Sequence, residues 1–173
     1  GQLLSEDGPW PSDTVSFTYT NRLRKSLSLL QPSGSWTNGY AYDAMRRLTN
    51  VTSAAGSFAY SYNLGQTLLP ASLVRKLTLP NNSCITNTYD SDARLLSTVL
   101  KNSTNGVLNS HTYEYNTGNQ RTKQTRVDGS FADYTYDAIG QLKSAAGKEA
   151  GGTTNRWQEQ FGYAYDPAGN LNW

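Results

Sequence analysis

Aromatic and small polar residues alternate with period two in this chain, and the alternation recurs along it. It is clearest in Phe58-Ala-Tyr60-Ser-Tyr62, His111-Thr-Tyr113-Glu-Tyr115, Tyr134-Thr-Tyr136 and Phe161-Gly-Tyr163-Ala-Tyr165. Period two sends successive side chains to opposite faces of an extended strand, so each run predicts a strand with one ring-bearing face and one polar face. Turn-forming clusters separate the runs: Gln31-Pro-Ser-Gly34, Ala54-Ala-Gly-Ser57, Pro80-Asn-Asn-Ser83, Ser103-Thr-Asn-Gly106 and Asp128-Gly129. The last predicts a two-residue hairpin between strands over 122–127 and 130–136. Residues 64–74 and 147–155 read as inserted loops, and 64–77 could hold a short helical turn. No other segment has a helical period.

The tyrosines supply a register. Seven anchors, Tyr19, Tyr42, Tyr62, Tyr89, Tyr115, Tyr136 and Tyr165, are spaced by 23, 20, 27, 26, 21 and 29 residues. Two residues before them stand Phe17, Tyr40, Tyr60, Asn87, Tyr113, Tyr134 and Tyr163, and these two positions account for all 12 tyrosines. The frame after the anchor also recurs, as Tyr42-Asp43-Ala-Met-Arg-Arg-Leu48, Tyr89-Asp90-Ser-Asp-Ala-Arg-Leu95, Tyr136-Asp137-Ala-Ile-Gly-Gln-Leu142 and Tyr165-Asp166-Pro-Ala-Gly-Asn-Leu171. Tyr62 is followed by Asn for Asp, Tyr115 opens a looser copy and Tyr19 a shortened one. Asp or Asn after a strand closes a turn by accepting backbone N–H groups ahead of it. Gly in the fifth place admits a left-handed residue, and Leu in the seventh starts the next strand. The chain therefore divides into an N-terminal segment or incomplete repeat over 1–16 and six to seven repeats over 17–173. The fold class is all-β: an antiparallel meander of roughly a dozen strands in a curved sheet, closed in part or completed by oligomerisation. Free sheet edges predict self-association.

Composition narrows the function. Lys+Arg 15 against Asp+Glu 13 leaves a net charge of +2, with no basic cluster above three residues, which argues against nucleic acid as a partner. Cys84 is the single cysteine and His111 the single histidine, too few for a disulfide framework or a Cys/His metal centre. No cofactor or metal is implied, and no run is apolar enough to span a membrane as a helix.

The recurring Tyr-Asp-x-x-Gly-x-Leu frame resembles the YD-repeat, or rearrangement-hotspot (Rhs), family, and the resemblance covers residues 17–173. It implies a long β-meander spiralling around an interior, as in bacterial toxin shells that enclose a payload and in animal cell-surface relatives. On that resemblance the chain is a structural, encapsulating or surface-interaction segment, secreted or at the cell surface of a bacterium. Its partners are another polypeptide (payload or adjacent repeats) or a surface glycan. Asp166-Pro-Ala-Gly169 matches four letters of a self-cleaving element of the toxin members, but it sits in an ordinary repeat frame.

Within the repeat, Tyr42, Asp43, Tyr89, Asp90, Tyr136, Asp137, Tyr165 and Asp166 take structural roles, since a structural role recurs in every copy and a catalytic one need not. His111 reads as an aromatic substitute on the ring face. Departures from the repeat carry the functional alternatives. Glu114 and Asp133 are the only charged residues at their repeat positions, and both should face away from the tyrosines. One strand separates them, placing their backbones about 9–10 Å apart. A carboxylate pair at that separation suits general acid and base work on glycosides, while Lys123, Gln124 or Arg126 between them would make an ion-pair cluster. The alternatives to a non-enzymatic segment are thus a small carboxylate-dependent hydrolase and a glycan-binding module. For the latter, Trp36 and Trp157 are the off-register candidates. Trp10 and Trp173 are the other off-register tryptophans.

Overall fold

The computed structural model describes residues 1–32, 34–62 and 72–172. Sixteen strands occur among them. They are β1 (Ser5–Glu6), β2 (Val15–Thr20), β3 (Leu23–Gln31), β4 (Gly34–Tyr42), β5 (Leu48–Ser53), β6 (Gly56–Tyr62), β7 (Val74–Thr78), β8 (Cys84–Tyr89), β9 (Leu95–Lys101), β10 (Val107–Tyr115), β11 (Arg121–Arg126), β12 (Phe131–Tyr136), β13 (Leu142–Lys148), β14 (Asn155–Gly162), β15 (Ala164–Tyr165) and β16 (Leu171–Asn172). The first fourteen form one antiparallel sheet in chain order with β1 and β14 at its ends, and β15 pairs with β16. The meander is as predicted, with more strands than the dozen expected, and it does not close into a barrel. Two compact units divide the chain, Gly1–Ile85 with Asn102–Asn105 and Thr86–Lys101 with Gly106–Trp173.

Each unit shows the same facial split. The anchors Tyr19, Tyr42, Tyr62, Tyr89, Tyr115, Tyr136 and Tyr165 are all half-buried, while Thr18, Ala41, Ser61, Thr88, Glu114, Thr135 and Ala164 just before them are all exposed. In the first unit the ring face holds rows such as Val15–Leu29–Trp36 and Tyr40–Val51–Phe58. The opposite face there is built of small polar residues, including the row Thr18–Ser26–Gly39–Thr52–Ser57. In the second unit the ring face holds Tyr113–Gln124–Ala132–Gly147. Hydroxyls pair across the polar face in both, Thr18 with Ser26 at 2.5 Å and Thr135 with Ser144 at 2.6 Å. Cys84 and Ala132 are the only buried hydrophobic residues among those described, so the core is a thin aromatic and leucine layer rather than a globular interior.

Three expectations need correction. The Asp128-Gly129 hairpin is a three-residue loop over 127–129: Arg126 N–H donates to Ser130 C=O at 2.8 Å and Gly129 N–H to Arg126 C=O at 2.9 Å. A two-residue type I′ turn needs two left-handed residues, and only Gly129 (φ 80°) is one. The inserted loop over 147–155 shrinks, because β13 runs on to Lys148 and β14 starts at Asn155. Gly147 is a strand residue there, where a Cβ would lie 2.5 Å from that of Glu159. Val74–Thr78 is a strand, β7, where the helical turn was expected. Residues 64–71 of the predicted loop and turn, Ser33 of the first turn cluster and Trp173 lie outside the described residues.

Candidate functional site: the tyrosine–aspartate turns

Five turns that follow a tyrosine anchor repeat one hydrogen-bonding scheme among the described residues. In the first, Arg46 N–H donates to Asp43 C=O at 2.9 Å and Asp43 N–H to Arg47 C=O at 3.0 Å. Equivalent pairs occur at Asp90–Arg94, Asn116–Gln120, Asp137–Gln141 and Asp166–Asn170. The fifth position is left-handed in all five: Arg46 (φ 63°), Ala93 (64°), Asn119 (61°), Gly140 (89°) and Gly169 (82°). This is a type I turn followed by a left-handed residue, the three-residue hairpin loop that ends in a bulge. Accordingly the strand register shifts at the anchor, between Ala41 and Tyr42 and again between Thr135 and Tyr136.

The side chain in the second position closes each turn. Asp43 Oδ1 accepts N–H groups of Met45 and Arg47, both at 2.9 Å. Asp90 Oδ1 accepts those of Asp92 (3.0 Å) and Arg94 (2.9 Å). Asp137 Oδ1 accepts those of Ile139 (3.0 Å) and Gln141 (2.8 Å), and Asp166 Oδ1 those of Ala168 and Asn170, both at 2.9 Å. Asn116 does the same for Gly118 and Gln120. The Arg47 N–H and guanidinium hold the Asp43 carboxyl below its ordinary value. Partial desolvation raises Asp90, but the Arg94 N–H, guanidinium and charge together outweigh it and leave the group lowered. Asp166 is lowered by the Asn170 amide and N–H. Its carboxylate is thus fully engaged in its own turn.

The anchors have a second partner that the spacing did not reveal. Tyr62 Oη donates to Leu48 C=O (2.6 Å), Tyr115 to Leu95 (2.9 Å), Tyr136 to Arg121 (2.7 Å) and Tyr165 to Leu142 (3.0 Å). Each acceptor is the seventh position of the preceding frame. The bond gives the hydroxyl of these four anchors a structural use, while the position two residues before an anchor accepts Phe17 or Asn87. Arginine in the sixth position adds a clamp. Arg47 ion-pairs Asp43 at 2.6 Å and lies 4.6 Å from the Tyr62 ring centroid; Arg94 ion-pairs Asp90 at 2.6 Å and lies 5.1 Å from that of Tyr115.

The hydrolase candidates occupy one cross-strand row, in which Glu114 is opposite Lys123 and Lys123 opposite Asp133. Lys123 stands between the two carboxylates in that row. Its Nζ lies 3.9 Å from the Phe131 ring centroid, and Asp133 pairs instead with Lys148 at 3.6 Å. His111 stacks near Tyr113, with centroids 6.5 Å apart, and its Nδ1 lies 3.1 Å from Gln124 Nε2. Cys84 is a buried free thiol. Among the described residues no group of three His, Cys, Asp or Glu could hold a metal ion, and no helix is long and apolar enough to cross a membrane.

Trp36 is 40% exposed on the ring face, opposite Leu29. Trp157 is 77% exposed on a bulge of β14, where the pairing jumps from Ala146–Gln160 to Lys148–Asn155. Gln160 Nε2 fastens that bulge by donating to Gly147 C=O (2.6 Å) and Arg156 C=O (3.0 Å). Beside it lies an ionic cluster that sequence reasoning missed. Glu159 pairs with Arg126 (2.7 Å) and Arg156 (3.2 Å), and both arginines reach Ser130 Oγ, at 3.2 and 2.7 Å. Ser130, 1% exposed, donates in turn to Asp128 Oδ1 at 2.7 Å, which helps to hold the Asp128 carboxyl below its ordinary value. The Glu159 side chain of this cluster lies over Gly147, where a Cβ would meet it, and Ala132 is opposite Gly147 on the neighbouring strand. Those gaps in the ring pattern were the available signal.

No family model matches the chain, and no curated protein sequence does. Solved structures do match. A crystal structure of TcdB2-TccC3-Cdc42 is 18% identical with a TM-score of 0.52, over 93% of this chain and 11% of that one. TcdB2-TccC3 without its hypervariable C-terminal region gives 17% and 0.53 over the same shares. A Photorhabdus luminescens Tc holotoxin pore with a mutated TccC3 gives 18% and 0.53, over 99% of this chain and 11% of that one. The chain shares the fold of a segment of these chains. It spans about a ninth of the length of these chains, and at such identity the likeness concerns the fold. The turn scheme above gives the recurring Tyr-Asp frame its physical content: the tyrosine ties a strand to the preceding frame, and the aspartate closes the next turn.

Proposed function

We propose that this YD-repeat sheet is a structural segment of a larger bacterial shell, secreted or at the cell surface, which encloses or presents another polypeptide. The reading rests on the fold match, which runs over nearly all of this chain and a small part of much longer toxin-complex chains. The local chemistry agrees with it. The carboxylates that recur are spent on turns, and the recurring hydroxyls are spent on carbonyls. In this reading the segment carries no catalysis, and its sheet edges join neighbouring repeats or second copies. The test is protease protection in the full reading frame: a second polypeptide should resist digestion while the shell is intact and be cut once residues 17–173 are deleted. Equal digestion in both forms would overturn the proposal. Turnover of chromogenic glycosides or esters, lost in Glu114→Gln and Asp133→Asn, would replace it with the hydrolase reading.

Glycan binding has one observation in its favour. The Trp157 ring stands open on a fastened bulge, whereas the Tyr62 and Tyr115 rings are covered by guanidinium groups. Binding on a glycan array that disappears in Trp157→Ala or Trp36→Ala would establish it.

A further inference from the structure

The shortened first frame, in the first unit, builds a cationic pocket. Its turn has two residues, Asn21 (φ 51°) and Arg22 (φ 68°), both left-handed as a type I′ turn requires, with Thr20 opposite Leu23. A bulge follows: Thr18 pairs with Ser26 and Tyr19 with Arg24, which leaves Lys25 outside the pairing. Neighbouring residues of a regular strand face opposite ways, yet Arg24 and Lys25 both line one pocket of about 330 Å³, with Tyr40, Tyr42 and Asp43. A second depression shares Asn21, Leu23 and Asp43 with it and adds Arg22 and Arg46. All four cations are exposed, and among the described residues none pairs with a carboxylate. Asp43, the one acid of the lining, is already held by Arg47 at 2.6 Å.

The short turn also leaves hydroxyls unspent. Tyr62 bonds the carbonyl of Leu48, the seventh position of the frame before it. Tyr42 comes after the shortened copy, and its hydroxyl makes no hydrogen bond to a described residue; nor does that of Tyr40. Guanidinium, ammonium and phenol donors thus line one pocket with a surplus of positive charge. One arginine fork satisfies a lone carboxylate, whereas a phosphate dianion has charge and acceptor oxygens for several donors at once. We propose that this pocket binds a phosphate group, free or as the monoester of a small molecule, between Arg24, Lys25 and the Tyr42 hydroxyl, with Arg22 and Arg46 adding charge beside it. Its volume suits a small molecule, and the Tyr40 and Tyr42 rings offer an apolar wall to whatever carries the phosphate. The proposal stands independently of the shell reading.

The test titrates the whole chain with inorganic phosphate and with phenyl phosphate, followed by nitrogen–proton correlation spectra, with phenol and acetate as controls. Both phosphates should shift the amides of residues 21–25 saturably, and the controls should not. Tighter binding of the ester places its carrier against the tyrosines; equal binding makes phosphate itself the ligand. Affinity should rise between about pH 5 and about pH 7, as the second phosphate ionisation near about pH 6 completes. Arg24→Gln and Lys25→Gln should each weaken binding about tenfold, and Arg46→Gln less. Tyr42→Phe should weaken it several-fold and leave the thermal midpoint where it is, since that hydroxyl holds no carbonyl. Lys101→Gln, in the other unit, should change nothing. Absence of saturable shifts, or undiminished binding in both Arg24→Gln and Lys25→Gln, would overturn the proposal. So would tighter binding of a glutamate-rich peptide than of either phosphate, which would make an acidic polypeptide the occupant.

Discussion

The turns at Asp43–Arg47 and Asp137–Gln141 have one backbone and two chemistries. In the second, Gly140 takes the left-handed position at φ 89° without a Cβ to object. In the first, Arg46 takes it at 63°, a conformation that disfavours any side chain, and an ion pair to Asp43 and a guanidinium over Tyr62 come with it. The turn at Asp90 repeats the first solution, with Ala93 left-handed and Arg94 as the clamp. Glycine is therefore one way of building this turn. A second accepts local strain and offsets it with a charged residue one position later, and a third uses Asn119, followed by the uncharged Gln120.

The largest test of that contrast is Gly140→Val, which places a β-branched residue at positive φ where no arginine follows. It should cost about 1–3 kcal/mol, read as a fall in the thermal midpoint. Arg46→Gly should by comparison be neutral or mildly stabilising. A Gly140→Val variant as stable as the parent would mean that the clamp is not needed to tolerate the strain. Next comes the feature both turns share. Tyr62→Phe and Tyr165→Phe each remove one hydroxyl-to-carbonyl bond, at about 1 kcal/mol apiece, and equal losses are expected in calorimetry. Arg47→Gln should cost about 0.5–1 kcal/mol through the ring contact, whereas Gln141→Asn should shift stability less. The smallest effect concerns acid. The Asp43, Asp90, Asp128 and Asp166 carboxyls lie below their ordinary value when folded. Their contribution is thus fully present above the unfolded value, about 3.9, and is lost as pH falls through the lowered folded values. Asp43→Asn should flatten stability-versus-pH profiles below about pH 4 and leave their shape above it alone.

The meander and the frame were legible in the sequence because both are periodic. Alternating rings mark strands, and a turn that recurs leaves the same letters each time. The left-handed roles of Arg46 and Ala93 were not legible as letters, because propensity points to Gly or Asn there; they follow only from their place in the frame. The Asp128-Gly129 loop deceived for a related reason: the dipeptide suits both a two-residue and a three-residue hairpin, and only the partner of Arg126 N–H decides between them. The ionic cluster around Ser130 joins residues up to 33 apart and follows no period, so nothing in the repeat announces it. The row holding Glu114 and Asp133 could be counted from strand lengths, whereas the Lys148 partner of Asp133 comes from a hairpin whose glycine-rich letters resemble a loop.

The bond from tyrosine to the preceding frame runs in one direction along the polypeptide. In each of the four instances the carbonyl is made first and the hydroxyl follows 14, 20, 15 or 23 residues later. In these four bonds the acceptor is therefore already synthesised when its donor arrives. A sheet fastened this way can assemble on the ribosome from its first strand onward, each hairpin locking as it emerges. Its length is then limited by how many repeats are translated rather than by a search for remote partners.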